Sequence, residues 1–190
     1  MLQQQELRLG DLFTGQLVRL AAKVPDDNNV ITRWFDDAEF ARQLDSDAAR
    51  PYSIARLEKD DEEEKKHLQE GRNYGFMFHT LAEDKVIGFG GLWVNWNHQN
   101  GWIGIGIGEP DYRSKGYGTD AMRLLVNYGF RELGLYRVQL MVFSYNKRAI
   151  RCYEKVGFKR EVIQRAALYR DSQRYDQYLM GILRPEWEGR

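Results

Sequence analysis

The residues best placed to do chemistry lie in one run, Glu109-Pro110-Asp111-Tyr112-Arg113-Ser114-Lys115-Gly116-Tyr117-Gly118-Thr119. Gly116 and Gly118 let the backbone turn tightly and bring its N–H groups near a ligand. The run stands between a strand pattern and an amphipathic helix pattern. Its N–H groups therefore fall at a helix N-terminus, where orphan donors and the helix dipole favour an anion. Arg113 and Lys115 add positive charge at the mouth, and the whole makes a pyrophosphate cradle. A Gly-x-Gly before a helix can also be a tight connection and nothing more, so two rival nucleotide motifs need checking. A P-loop has four residues between its glycines and then Gly-Lys-Ser/Thr, which is absent here. Gly104-Ile105-Gly106-Ile107-Gly108 has the look of a dinucleotide fingerprint. It sits inside a strand pattern, however, lacks the last spacing and has no helix directly after it.

The elements that must hold this loop follow from periodicity. Gln16 to Leu20 alternates apolar and polar residues, as a first strand does. Asp26 to Phe35 and Asp37 to Leu44 predict two short helices. Ser53 is placed to cap a longer helix that runs to about Glu70 and stops at Gly71. Tyr74–His79, Val86–Val94 and Trp102–Ile107 are three strand-like runs separated by turn residues, which predicts an antiparallel meander. Met122, Leu125, Val126, Gly129 and Leu133 then share one helical face, and Gly134 is its stop. Arg137–Phe143 reads as a strand and Asn146–Val156 as a helix stopped by Gly157. Two more strands, Glu161–Tyr169 and Arg174–Leu183, turn at Asp171-Ser172. The fold class is α/β (α+β), a mixed sheet with helices on its faces.

Composition narrows the class. The chain of 190 residues is 43% hydrophobic and 29% charged, has no repeat or linker, and reads as one domain with its core over 16–187. No stretch approaches the roughly 20 apolar residues of a membrane span. Met1 to Glu6 lacks a basic region followed by an apolar one, so no signal peptide is expected. The lone Cys152 excludes an internal disulfide and fits a reducing cytoplasm. Net charge is zero, but residues 1–85 carry 18 acidic and 12 basic side chains, and residues 86–190 carry 10 and 16. The positive half is the one with the cradle, which suits an anionic ligand. The basic residues are scattered rather than gathered in a tract, so no nucleic-acid partner is expected. No metal is expected either.

Arg113-Ser114-Lys115-Gly116-Tyr117-Gly118 resembles the Arg/Gln-x-x-Gly-x-Gly/Ala signature of the GCN5-related N-acetyltransferases (GNAT). The run from Trp102 to Phe158 is similar to the RimJ/RimL-like branch that acetylates ribosomal-protein N-termini. Three pieces carry that likeness: Ile107-Gly108-Glu109-Pro110, Asn146 to Phe158, and Tyr169-Arg170-Asp171 with Tyr175-Asp176 and Met180 to Leu183. The strong match covers roughly 86–187, with residues 86–160 as the cofactor-binding region. Residues 1–85, which hold much of the acceptor side in the family, fit loosely.

The resemblance implies a central pair of parallel strands, Trp102–Ile107 and Arg137–Phe143, splayed to hold acetyl-coenzyme A as co-substrate. Ile105, Gly106 and Ile107 would pair with the pantetheine amides and supply an oxyanion donor. Arg113, Ser114, Lys115, Gly116, Tyr117, Gly118 and Thr119 would hold the pyrophosphate. Asn146 is an N-cap by its own residue type and, by resemblance, a cofactor contact. Tyr153 is implied as the group that protonates or hydrogen-bonds the departing thiolate, since a thiol titrates near 8.5 and a phenol near 10. Its place at the helix end also makes it the cap residue that packs on Phe158, and the two roles can coexist. Many relatives place a glutamate on the strand before the loop, and Trp102–Gly108 has none. Glu109, His79, His98, Asp176 or a water chain remain as bases, and Trp93, Trp96 and Trp102 as acceptor-pocket or packing residues. Cys152 lies inside a helix with no histidine nearby in sequence, against a covalent route. The expected reaction is acetyl transfer to a primary amine, of a protein N-terminus or a small molecule. The alternative is a non-catalytic acyl-coenzyme A sensor. A homodimer is a family-level expectation.

Overall fold

We analysed a computed structural model of the chain, which describes residues 12–188; Met1 to Glu6 lies outside them. Seven strands form one sheet in the order β1-β2-β3-β4-β5-β7-β6. β2 (Asn73–Thr80), β3 (Val86–Asn95) and β4 (Asn100–Ile107) make the expected antiparallel meander, and β1 (Val18–Ala21) pairs antiparallel with β2 at its outer edge. β5 (Arg137–Phe143) lies parallel to β4, and β7 (Gln173–Leu183) joins β5 to the outer β6 (Lys159–Arg170), both antiparallel. The β6–β7 turn puts Asp171 and Ser172 at φ 49° and 60°, the conformation a two-residue hairpin loop demands.

The parallel pair shapes the molecule. β4 and β5 are paired only over Asn100–Trp102 and Arg137–Gln139, and then separate. Beyond Trp102, the β4 edge that faces β5 has no strand bonded to it among the described residues.

Helices cover both faces. α4 (Tyr117–Arg131) and α5 (Lys147–Val156) pack over a core that includes Phe78, Ile87, Leu92, Leu125, Val138 and Leu140. α1 (Asp27–Phe35), α2 (Ala38–Leu44) and α3 (Ile54–Gln69) cover the other face through Ile31, Trp34, Phe35, Phe40, Leu57 and Met77. Each fully buried large apolar side chain there contributes about 1.5–3 kcal/mol. The capping chemistry matches the helix ends. Asp37 accepts from the Glu39 amide and Ser53 from the Arg56 amide, while Gly71, Gly134 and Gly157 take positive φ at their stops. A short closing helix, α6 (Arg184–Glu188), has no counterpart in the sequence pattern. Glu186 holds its start by accepting from the Leu183 amide at 2.9 Å.

The first strand starts later than its alternation predicts. The amides of Gln16, Leu17 and Val18 donate to the Asp120 carboxylate, at 3.2, 2.7 and 3.0 Å. That carboxylate, in the first turn of α4, satisfies the segment in place of a neighbouring strand.

Candidate functional site

Where β4 and β5 part, a cleft of about 510 Å3 opens through the sheet, within the usual range for a ligand site. Its walls are Ile103 to Ile107 of β4 and Met141 to Phe143 of β5. α5 adds Ala149, Cys152 and Tyr153, and the α2 end adds Phe40, Gln43, Leu44, Asp45 and Ser46. The α2 wall was not legible in the sequence, because nothing local marks a short helix as lying across a cleft. Its fastenings come from the other half of the chain. Arg148 donates to Gln43 Oε1 at 2.6 Å, the Tyr145 hydroxyl donates to the Arg42 carbonyl, and Arg170 to the Asp45 carbonyl at 2.6 Å.

The loop ends against the cleft. Arg113, Ser114, Gly116, Gly118 and Thr119 line it; Lys115 is exposed off the wall, and Tyr117 packs edge-on against Tyr112, ring centroids 5.1 Å apart. Ser114 and Gly116 have φ of 62° and 97°, so two left-handed residues coil the backbone just before α4. α4 begins at Tyr117, one turn earlier than the apolar stripe suggests, and no side chain caps it. Its first amides are thus free to meet an anion.

The Arg113 side chain is turned to another task. Its Nε donates to the Ile107 carbonyl at 3.0 Å, Nη2 to the Gly108 carbonyl at 2.7 Å and Nη1 to Asp37 at 3.0 Å. Partial burial pushes the Asp37 carboxyl up, but the bonds from Arg113 and from the Phe40 and Glu39 amides bring it below its usual range. Arg113 therefore ties α2 to the end of β4. The cations on the cleft wall are otherwise Arg148, Arg151 and Lys155 of α5.

Asn146 lines the cleft and caps α5, accepting from the Ala149 amide at 3.1 Å and donating to the Gln43 carbonyl at 3.4 Å. Tyr153 is both a helix-end residue and a residue of the cleft wall. The Phe158 amide bonds its carbonyl at 3.0 Å, Gly157 follows at φ 116°, and the Tyr153 and Phe158 rings are 6.0 Å apart, so the helix cap is built as predicted. The same side chain is 7% exposed and borders the cleft. Burial, with a small addition from Cys152, pushes its phenol well above the usual range.

Of the sequence-derived bases, none lines the cleft. Glu109 accepts from Arg33 at 2.6 Å, Trp34 Nε1 at 2.9 Å and lies 3.1 Å from Lys85. Burial raises its pKa, but these three donors outweigh that and hold it below the usual range, which makes it a weak base. Asp176 accepts from the Ala166 amide, and His79 sits between Arg19 and Asp84. His98 is in an exposed turn. Among the described residues Asp45 is the one carboxylate on the cleft wall. Burial raises the Cys152 thiol, and its neighbour is Thr119 Oγ1 at 3.5 Å, not a histidine. Trp93, Trp96 and Trp102 stand outside the cleft, 50%, 44% and 42% exposed.

Comparison with known proteins agrees with this geometry. A model described as the acetyltransferase (GNAT) family matches residues 39–158. The Bacillus subtilis (strain 168) protein named probable N-acetyltransferase YjcK is 30% identical over 139 residues, 72% of this chain and 76% of that one. The spermidine N(1)-acetyltransferase of Escherichia coli (strain K12) is 43% identical over 53 residues, 28% of each chain. Among solved structures, spermidine N-acetyltransferase from Vibrio cholerae, in complex with CoA and spermine, superposes with TM-score 0.78 at 23% identity. The likeness covers 90% of this chain and 98% of that one. Mycobacterium smegmatis RimJ, in complex with CoA-disulfide, gives 0.77 at 16% identity over 89% and 83%.

Proposed function

Because the chain belongs to the GNAT family of acetyltransferases and is an N-acetyltransferase by that membership, we propose that its β4–β5 cleft carries acetyl-coenzyme A to a primary amine. The observation that carries this reading is the cleft itself. An uncapped helix N-terminus stands at one part of its wall, an unpaired strand edge runs along it and a tyrosine borders it.

The pyrophosphate meets the amides that follow Gly116, with Ser114 and Thr119 as hydroxyl donors. Lys115 and Tyr117 act from outside the wall, through charge and loop packing, and Arg113 through loop shape. The pantetheine runs along Ile105–Ile107 as an added strand would. Since the Ile107 carbonyl already accepts from Arg113, and Gly106 is in phase with Gly108, whose N–H bonds Ile87 of β3, Ile105 and the Ile107 N–H are the freer partners. Asn146 offers its second amide hydrogen. A backbone N–H in the same stretch receives the oxyanion.

The neutral amine attacks the thioester carbonyl directly. Its nitrogen–carbon bond forms, the tetrahedral intermediate collapses, and the carbon–sulfur bond breaks with its electron pair on sulfur. Tyr153 meets that sulfur. Its phenol is a weaker acid than a free one while a thiol titrates near 8.5. Tyr153 therefore donates a hydrogen bond to the thiolate rather than giving up its proton outright. The amine proton leaves through water, with Asp45 the carboxylate nearest to hand on the wall.

The acceptor is a protein N-terminal amine or a small amine. Residues 16–187 act as one domain, with 86–160 the cofactor region, in the cytoplasm, and a homodimer is the assembly to look for. Thiol release over a panel of amines tests the activity. Tight cofactor binding with no amine ever turned over would establish the sensor instead. Tyr153→Phe removes one hydrogen bond to a charged sulfur, about 1.5–3 kcal/mol or roughly 10- to 100-fold in kcat, with cofactor affinity kept. An unchanged rate takes Tyr153 out of the mechanism.

A further inference from the structure

On the sheet face that α1–α3 cover, the register aligns three glycines across three strands: Gly75 opposite Gly91, and Gly91 opposite Gly104. Residues directly opposite share a face. Gly104 at one end of this row lines the cleft. The next row along the strands is Asn73, Trp93 and Trp102. The Trp93 ring lies against the glycine row, with Cζ3 3.4 Å from where a Cβ on Gly104 would stand. It is nevertheless half exposed, as is Trp102. A flat indole on a side-chain-free strip, open to solvent and continuous with the cleft, is a platform rather than core.

The polar groups beside this platform are of one kind. At the far end of the row, α3 brings the half-buried Glu64 carboxylate so close over Gly75 that any Cβ there would strike it. Among the described residues neither Glu64 oxygen accepts a hydrogen bond or joins an ion pair, and the cation whose charge acts on it, Lys23, is bonded to Asp61. Burial pushes the Glu64 carboxyl above its usual range, with Lys23 opposing and Asp61 adding. Asn73, opposite Trp93, is 6% exposed and its Oδ1 has no hydrogen-bond partner among the described residues. Arg137, at the other flank, is paired with Glu161. Indole faces, a carboxylate and an amide oxygen all favour a cation.

From this we infer that Trp93, Trp102 and Glu64 form the acceptor-binding ledge, and that the acceptor is a linear amine carrying a second cationic nitrogen. The inference rests on the acetyl-transfer reading of the neighbouring cleft. The span from Gly75 to Gly104 is two inter-strand steps, about 10 Å. One nitrogen reaches the thioester past Gly104 while the other stands near Glu64, its methylene chain on the Trp93 face.

The test uses the CoA-saturated full chain, tryptophan fluorescence and calorimetry, with the eight-carbon linear diamine and octylamine as probes. The wild type is expected to bind the diamine about tenfold tighter than octylamine. Glu64→Gln should bring diamine affinity down toward that of octylamine, with octylamine and CoA affinities kept, whereas Trp93→Ala removes the face under both methylene chains and should weaken both probes with CoA affinity kept. Equal binding of the two probes by the wild type, no diamine binding at all, a Glu64→Gln variant that weakens both probes alike, or a Trp93→Ala variant that weakens neither would each overturn the ledge. If the diamine binds as expected and no thiol is released with any amine, the ledge stands and the acetyl-transfer reading falls.

Discussion

Asp120→Asn is the most informative single change, because one carboxylate holds both the first strand and the start of the cofactor-side helix. Asp120 Oδ1 accepts from the Gln16 amide and Oδ2 from those of Leu17 and Val18. Asparagine has one acceptor oxygen. Set at the Oδ2 position, it keeps the Leu17 and Val18 bonds without the charge and turns its own NH2 against the Gln16 N–H. Losing one bond to a charged group costs about 1.5–3 kcal/mol, and making two others neutral costs roughly 0.5–1 kcal/mol more each, for about 3 kcal/mol in all. For a chain of this length that corresponds to roughly 6–12 °C in Tm. Thermal melts and urea titrations at unchanged m-value measure it. Gly15→Ala provides a check, because its Cβ would land on the same carboxylate. Its cost and that of Asp120→Ala should be strongly non-additive in the double variant. The segment also backs the loop, with Leu17 Cδ1 3.3 Å from where a Gly116 Cβ would stand, so cofactor affinity should fall a few-fold in Asp120→Asn. A stability loss under about 1 kcal/mol, or strict additivity with Gly15→Ala, would refute the clamp.

Three further changes probe the site and its supports. Gly116→Val forces a β-branched residue to φ 97°, at about 1–3 kcal/mol of strain; acetyl-coenzyme A binding by calorimetry should vanish, and intact binding would overturn the loop assignment. Gly108→Ala drives a Cβ into the buried Trp34 ring, and chemical unfolding should show a loss of about 3 kcal/mol. Glu109→Gln removes a carboxylate whose folded pKa lies below its ordinary value despite burial. Its stabilisation is present above the unfolded pKa near 4.3 and is lost as pH falls through the lower folded value. The variant should therefore be about 1 kcal/mol less stable from pH 5 to 8, given its exposed partners, and the gap should close as pH falls through the lowered folded value. A constant gap at all pH values would exclude the ion pairs as the cause.

Local signals made the helices, their glycine stops and the β2–β4 meander legible, because Ser53, Gly134 and Gly157 act within a few residues of themselves. Contacts far along the chain were not legible. Asp120 replaces a strand neighbour for residues about a hundred positions away, and α2 becomes a cleft wall only through Arg148, Tyr145 and Arg170. The base candidates lie off the cleft wall for the same reason: the types of Glu109 and Asp176 suit a base, but their partners are elsewhere in the fold. The exposed tryptophans became interpretable only once the register set Trp93 opposite Trp102.

The charge asymmetry of the sequence changes meaning in the same way. It pointed to Arg113 and Lys115 as the cations of an anion site. In the fold the Arg113 charge is spent on Asp37, and Lys115 stands off the wall. What the loop still presents on the cleft wall is uncharged, the backbone amides of a left-handed turn and an uncapped helix start. Such donors are fixed in place and held by short-range geometry. The mobile charge moves to α5, where Arg151 and Lys155 border the cleft. Geometry at the loop and Coulomb attraction at α5 are then separable. Neutralising Arg151 and Lys155 together should weaken acetyl-coenzyme A binding and flatten its salt dependence. Gly116→Val should remove binding at every salt concentration. If the α5 double variant kept the wild-type salt slope, the attraction would have to lie in some other part of the positive half.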